Sequence, residues 1–152
     1  MTLDLITVGW REWVFFPDLG LPNIKAKIDT GARTSCLHAF SVEPFNRQDE
    51  EWVRFGIHPH QNDRDYEVFC EARVKDQRIV TDSGGHKEKR YVITTDVSLD
   101  GQRWPIEVTL TNRDGMKFRF LLGRTAMEDK IIVNPGASFV LGKPKKLKIK
   151  RK

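Results

Sequence analysis

Cysteine is nearly missing from this 152-residue chain: Cys36 and Cys70 stand alone, with no second thiol or histidine at metal-finger spacing. A disulfide framework is therefore excluded as the source of stability, and both thiols are expected to be small buried residues. Histidine is scarce as well, limited to His38, His58, His60 and His86. No His-Glu-x-x-His helix pattern occurs, and His58-Pro59-His60 reads as a polar loop. No glycine-rich loop ending in Lys-Ser or Lys-Thr is present to cradle a nucleotide phosphate. Neither a metal nor a nucleotide cofactor is expected. No apolar run approaches the roughly 18 residues of a membrane helix, so no membrane association is expected. The segment Met1-Thr-Leu-Asp-Leu-Ile-Thr-Val has neither the basic start nor the apolar stretch of a secretory signal, and a cytoplasmic location follows as an expectation.

What is present is charge, unevenly spread. The net charge is +5, from 26 basic and 21 acidic residues, but Lys143 to Lys152 alone holds seven of the basic ones. The remainder is 19 against 21, or −2, so the body is almost neutral. The length suits one core. A β domain over residues 1–142 and a basic tail over 143–152 are expected, the tail either solubilising or attracting polyanions such as RNA or an acidic surface.

Short segments rich in β-branched and aromatic residues recur between Gly, Pro, Asn and Asp, which predicts an all-β closed barrel or sandwich. The expected strands are residues 3–9, 12–16, 23–28, 34–39, 51–57, 66–74, 77–81, 89–99, 103–111, 117–122 and 138–141. Ile24, Ala26 and Ile28 alternate with Lys25 and Lys27, and Val53, Phe55 and Ile57 repeat the period of two. Asp100-Gly101 lies between two such runs and suits the positive φ of a tight hairpin. One short helix is expected, from Arg124 to Asp129. Most of the aromatics, Trp10, Trp13, Phe15, Phe16, Trp52, Trp104, Phe118 and Phe120, are assigned to core or to a dimer surface rather than to base stacking.

Chemistry concentrates in Ile28-Asp29-Thr30-Gly31-Ala32, where an amphipathic strand ends in an aspartate on a turn. Gly31 lets the backbone bend sharply and the Thr30 hydroxyl can tie the loop down. Asp-Thr-Gly alone is a weak signal, because an aspartate at a turn is commonly a local cap. Two further landmarks follow in order: Asp82-Ser83-Gly84-Gly85-His86, leading into a strand, and Phe120-Leu121-Leu122-Gly123-Arg124 before the short helix.

With these three landmarks, from about Ile6 to Leu141, the chain resembles the retropepsin-like aspartic proteases. It is closer still to a bacterial branch labelled as ATP-dependent zinc proteases and found alongside ATP-grasp glutamate ligases. The resemblance implies a homodimer in which Asp29 from each copy meets across a two-fold axis and the pair hydrolyses a peptide bond through an activated water. Thr30, Gly31 and Ala32 would support the catalytic loop. Ser83, Gly84, Gly85 and His86 would form a flap over bound peptide, Arg33 would lie beside the cleft, and Leu122, Gly123 and Arg124 would form the structural motif behind it. Retroviral members carry an acidic residue at the position of Arg33, pairing with the arginine matching Arg124, so that ion pair is lost here and the retroviral mode of assembly does not carry over. Arg33, with Lys25 and Lys27, instead points to an acidic peptide, and the family's association with glutamate ligases implies a glutamate-modified or otherwise acidic segment. Two other classes remain open: a peptide-binding adaptor without turnover, and an RNA- or ribosome-associated protein acting through the tail.

Overall fold

The computed structural model describes residues 4–113 and 117–142. Its described elements, in chain order, are β1 (Ile6–Val8), β2 (Arg11–Val14), β3 (Ile24–Ile28), β4 (Ser35–Ala39), β5 (Ser41–Arg47), β6 (Glu50–Ile57), β7 (Val68–Thr81), β8 (Lys87–Leu99), β9 (Gln102–Asn112), β10 (Phe120–Leu122), α1 (Arg124–Met127) and β11 (Ile131–Val133). The tail 143–152 lies outside the described residues.

The alternation in the sequence becomes the two faces of a sheet. In β3, Ile24, Ala26 and Ile28 are buried, Lys25 is half-buried and Lys27 is exposed; in β6, Val53, Phe55 and Ile57 are buried. Nine strands form one sheet in the order β2-β3-β10-β4-β9-β8-β7-β6-β5, and β1 pairs in parallel with β11 in a second. This is the expected all-β, retropepsin-like architecture. The hydrogen-bonded order is open at β2 and β5 and does not close into a barrel, although a single antiparallel bridge between Phe15 and Ser98 carries the end of β2 back to β8.

The core lies between the curled faces, where Phe16 and Phe120 meet edge to face at 4.8 Å beside Leu37, Leu122 and Ile93. Phe16, Phe120 and Trp104 are buried, whereas Trp10, Trp13, Phe15, Trp52 and Phe118 are only half-buried. The Trp104 indole N–H donates to the Ala126 carbonyl at 2.9 Å and so fastens α1 to β9.

Several elements differ from the sequence expectation. Segments 66–74 and 77–81 are one strand, β7, interrupted by an irregularity between Val74 and Asp76. β5 was not expected, because Pro44 demotes a strand and Gln48-Asp49 is an unusual turn; the strand sits at the sheet edge, where proline is tolerated, and both turn residues take positive φ, 51° and 63°. Asp100 and Gly101, at φ 51° and 75°, make the predicted tight turn. Residues 138–141 are not a strand. The N–H groups of Val140 and Leu141 donate instead to the fully buried Glu12 carboxylate at 2.8 and 3.2 Å, and Gly9 N–H donates to it at 2.7 Å. β11 was also not expected: Ile131-Ile132-Val133 is a β-branched run, but only three residues long, and its partner β1 lies far away in the chain.

Candidate active site

β10 is the strand that builds the site. It lies between β3 and β4, parallel to the first and antiparallel to the second, so the two arms of the Asp29 loop are held apart by a strand from far along the chain. The Asp29 N–H donates to the Leu122 carbonyl at 2.9 Å, extending the ladder one residue past β3. Beyond it the loop is backed by the next residues of the same segment. Arg124 N–H donates to the Ala32 carbonyl at 2.7 Å, Thr125 N–H to that of Arg33 at 3.0 Å, and Gly123 N–H to the Ser35 hydroxyl at 3.0 Å.

Gly123 is required there by proximity. A Cβ on it would stand 2.5 Å from the Thr34 carbonyl carbon and 2.8 Å from the Ser35 nitrogen. The Arg124 guanidinium reaches over to donate to the Thr30 carbonyl at 3.1 Å. Leu122, Gly123 and Arg124 are thus brought together with Asp29, Thr30, Ala32 and Arg33.

Within the loop, one oxygen of the partly exposed Asp29, Oδ1, accepts the N–H groups of Gly31 and Ala32 at 2.9 and 3.2 Å. Its other oxygen has no hydrogen-bond partner among the described residues. This is the geometry of an Asx turn, and it fixes the carboxylate on a rigid support while leaving half of it uncommitted. Thr30 and Arg33 are exposed, and Arg33 has no ion-pair partner among the described residues.

Asp82 to His86 turns the hairpin between β7 and β8. Asp82 N–H donates to the His86 carbonyl at 2.9 Å, Gly85 takes φ +84°, and Asp82 Oδ1 accepts Gly84 and His86 N–H, both at 2.9 Å. Asp82 Oδ2 accepts from Arg113 at 3.2 Å. The His86 N–H, followed by Arg113 and the Gly84 N–H, holds the Asp82 carboxyl below its ordinary range. Ser83 and the His86 ring are exposed. Among the described residues no hydrogen bond or ion pair joins this tip to the Asp29 loop.

The histidines do not assemble. His58 is buried, stacked on Phe40 at 4.3 Å and 3.4 Å from Glu67, whereas His60 is exposed against Tyr66. No three His, Cys, Asp or Glu side chains gather as a metal set among the described residues, so the side chains present do not fit a zinc centre. His38 is pushed down to about 4, by burial first and then by the charges of Arg90, Arg113 and Arg119. Burial raises both thiols, Cys70 to about 12, which leaves them unreactive as nucleophiles.

Two features went unmarked in the sequence: Arg113 as the anchor of the hairpin tip, and a cavity beside Trp13 and Lys25. Arg113 carries no local signature because its partner lies 31 residues away. The alternation of β3 did place Lys25 off the core, but not against the 59–63 loop.

An aspartate loop buttressed by an inserted parallel strand and a glycine-arginine turn, in an open all-β sheet with a long glycine-tipped hairpin, defines the retropepsin-like class. A crystal structure of a protein of unknown function from Legionella pneumophila has the same fold, with a TM-score of 0.73 and 26% identity over 89% of this chain and 97% of that one. The chain belongs to the RimB-like family, whose description is "retropepsin-like aspartic endopeptidase RimB" and whose match covers residues 7–144.

Relatives named "probable alpha-L-glutamate ligase" include one from Shewanella pealeana, 49% identical over 151 residues, and one from Parasynechococcus marenigrum, 50% identical over 137. These matches cover 99% and 90% of this chain but 33% and 29% of those proteins, so the chain spans about a third of their length. No helix among the described residues is long and apolar enough to cross a membrane.

Proposed function

We propose that this chain is an aspartic peptidase that works as a homodimer, with Asp29 of each copy forming the dyad. The observation that carries the reading is the state of Asp29: one carboxylate oxygen is fixed by Gly31 and Ala32, and the other is uncommitted at the exposed end of a strand. Two such carboxylates brought within about 3 Å share one proton, because both cannot stay ionised at that distance. The ionised member takes a proton from water as the water oxygen attacks the peptide carbonyl, while the protonated member donates to the carbonyl oxygen. Collapse of the tetrahedral diol breaks the C–N bond, and the leaving nitrogen receives a proton from the dyad.

In this reading Thr30, exposed in the single protomer, meets its counterpart in the other copy, and the Ser83–His86 tip closes over the substrate. The substrate is an acidic or glutamate-modified peptide segment. Exposed Arg33 and Lys27 beside Asp29 support this, as does a shared domain with relatives named for α-L-glutamate ligation. The reaction is placed in the cytoplasm.

A second reading draws on one specific feature. Arg33 and Arg124 are both exposed at the loop where two copies must meet, so like charges oppose pairing and favour a monomeric peptide-binding module. Wild type and Asp29→Asn compared by sedimentation and by cleavage of an acidic peptide library separate the two. A cleaving wild-type dimer with an inert dimeric variant supports the peptidase. A wild-type monomer that binds acidic peptides without cleaving them supports the module.

A further inference from the structure

The sheet face that carries Lys25 and Lys27 along β3 does not end at Asp29's neighbours. At the other end of β3 it runs into a cavity of about 240 Å³ between the sheet and the 59–63 loop, lined by Trp13, Lys25, His60, Gln61, Asn62 and Asp63. Trp13 and Lys25 are cross-strand partners in the β2–β3 ladder, and the ammonium lies 5.3 Å from the indole centroid. Lys25 has no ion-pair partner among the described residues. Gln61 Nε2 is buried and lacks a hydrogen-bond partner among the described residues.

Among the described residues Asp63 supplies the only negative charge in this lining, and one of its oxygens is used by its own loop, accepting the N–H groups of Asp65 and Tyr66 at 3.0 and 3.2 Å. The buried unsatisfied group at the cavity is therefore a donor, the Gln61 amide, and it stands with the Lys25 cation beside the Trp13 ring, while the second Asp63 oxygen is the one charged acceptor an incoming carboxylate must avoid. A buried donor without an acceptor is costly, and the ligand that relieves it must bring an acceptor, most favourably a charged one.

We infer that this cavity is a carboxylate-binding subsite for one side chain of an extended peptide. Lys25 and Gln61 grip the carboxylate, and Trp13 packs against the aliphatic stem. Lys25 and Asp29 are four positions apart, which along a strand is about 13 Å, so a peptide lying along β3 places the gripped carboxylate about four residues from its Asp29-facing bond. The inference rests on the peptidase reading for that spacing only; the subsite itself stands on the cavity and its donors. Residue Lys25 is a specificity residue here, not a catalytic one.

The test uses the full chain and a set of eight-residue peptides, each carrying one glutamate in an otherwise uncharged sequence, with the glutamate moved stepwise. Binding is followed by the Trp13 indole resonance in Asp29→Asn, and turnover by KM and kcat in the wild type. The expected result is a Trp13 shift that is largest for one glutamate position, with binding about tenfold weaker in Lys25→Gln or Gln61→Leu and partly restored in Lys25→Arg. In turnover the Lys25→Gln effect is expected in KM rather than kcat.

Cleavage with the same KM in Lys25→Gln and wild type would overturn the subsite and leave the peptidase reading intact. A position-dependent Trp13 shift that Lys25→Gln abolishes, with no cleavage by wild type, would sustain the subsite and remove the peptidase. The absence of any Trp13 shift at saturating peptide would overturn the subsite outright.

Discussion

The Asp29 loop and the β7–β8 tip are both short turns with an aspartate accepting two backbone N–H groups, yet they are held in opposite ways. The Asp29 loop is bonded through its backbone to Leu122, Arg124 and Thr125, around a glycine with no room for a methyl group. The tip is bonded mainly to itself and to one exposed arginine, and a Cβ on Gly85 would meet nothing within 4 Å. The same local motif thus gives a carboxylate braced from outside where tertiary structure closes on it and a turn held mainly by its own bonds where it does not. Rigidity is a property of what surrounds the turn, not of the turn.

That contrast can be broken by substitution. The largest effect is expected for Asp29→Asn, a loss of about a thousandfold or more in peptide cleavage with the melting temperature almost unchanged, checked by single-turnover assay beside calorimetry. Gly123→Ala is next: the methyl group would meet backbone at 2.5 Å and is expected to cost about 3 kcal/mol in denaturant unfolding.

The strand leading out of the loop gives a pH test. His38 in β4 has a folded-state pKa of about 4 against 6.5 in the unfolded chain, so the unfolded state binds the proton first. Stability is therefore fully present above about pH 6.5 and falls as the pH drops toward about 4, by about 2 kcal/mol once partial exposure is discounted. His38→Gln should flatten that stretch of the unfolding profile.

At the tip the expected costs are smaller. Gly85→Ala should lose about 1 kcal/mol for its positive φ. Arg113→Gln should cost no more than a few tenths of a kcal/mol in stability, because its ion pair is exposed, while changing KM if the tip covers substrate. A large stability loss from Arg113→Gln would show that the tip is as fixed as the loop.

Much of this was legible in the sequence for a physical reason. Alternation in β3 and β6, the Asp100-Gly101 turn and the Gly123–Arg124 helix start are local signals, and each is in place. Pairings made between distant segments were not legible. Ser138 to Leu141 reads as a strand, but the Glu12 carboxylate captures the N–H groups of Val140 and Leu141, and nothing near Glu12 announces a buried acid with three backbone donors, Gly9 being the third. β5 was hidden by Pro44, which an edge strand accepts. The candidate loop residues were visible through their motifs, whereas Arg113 and the Trp13–Lys25 cavity depend on partners that only folding supplies.

The insertion of β10 between β3 and β4 also sets a schedule. Arg124 and the Thr30 carbonyl it holds are 94 residues apart in the chain, so at a synthesis rate of about 5–20 residues per second the loop waits roughly 5–20 seconds for its support. Until that segment leaves the ribosome, Asp29 sits on a turn with neither its Leu122 bond nor its arginine brace. A newly made chain is therefore unable to assemble the aspartate loop until the segment through Thr125 has been translated, so the Asp29 carboxylate gains its fixed geometry only late in synthesis.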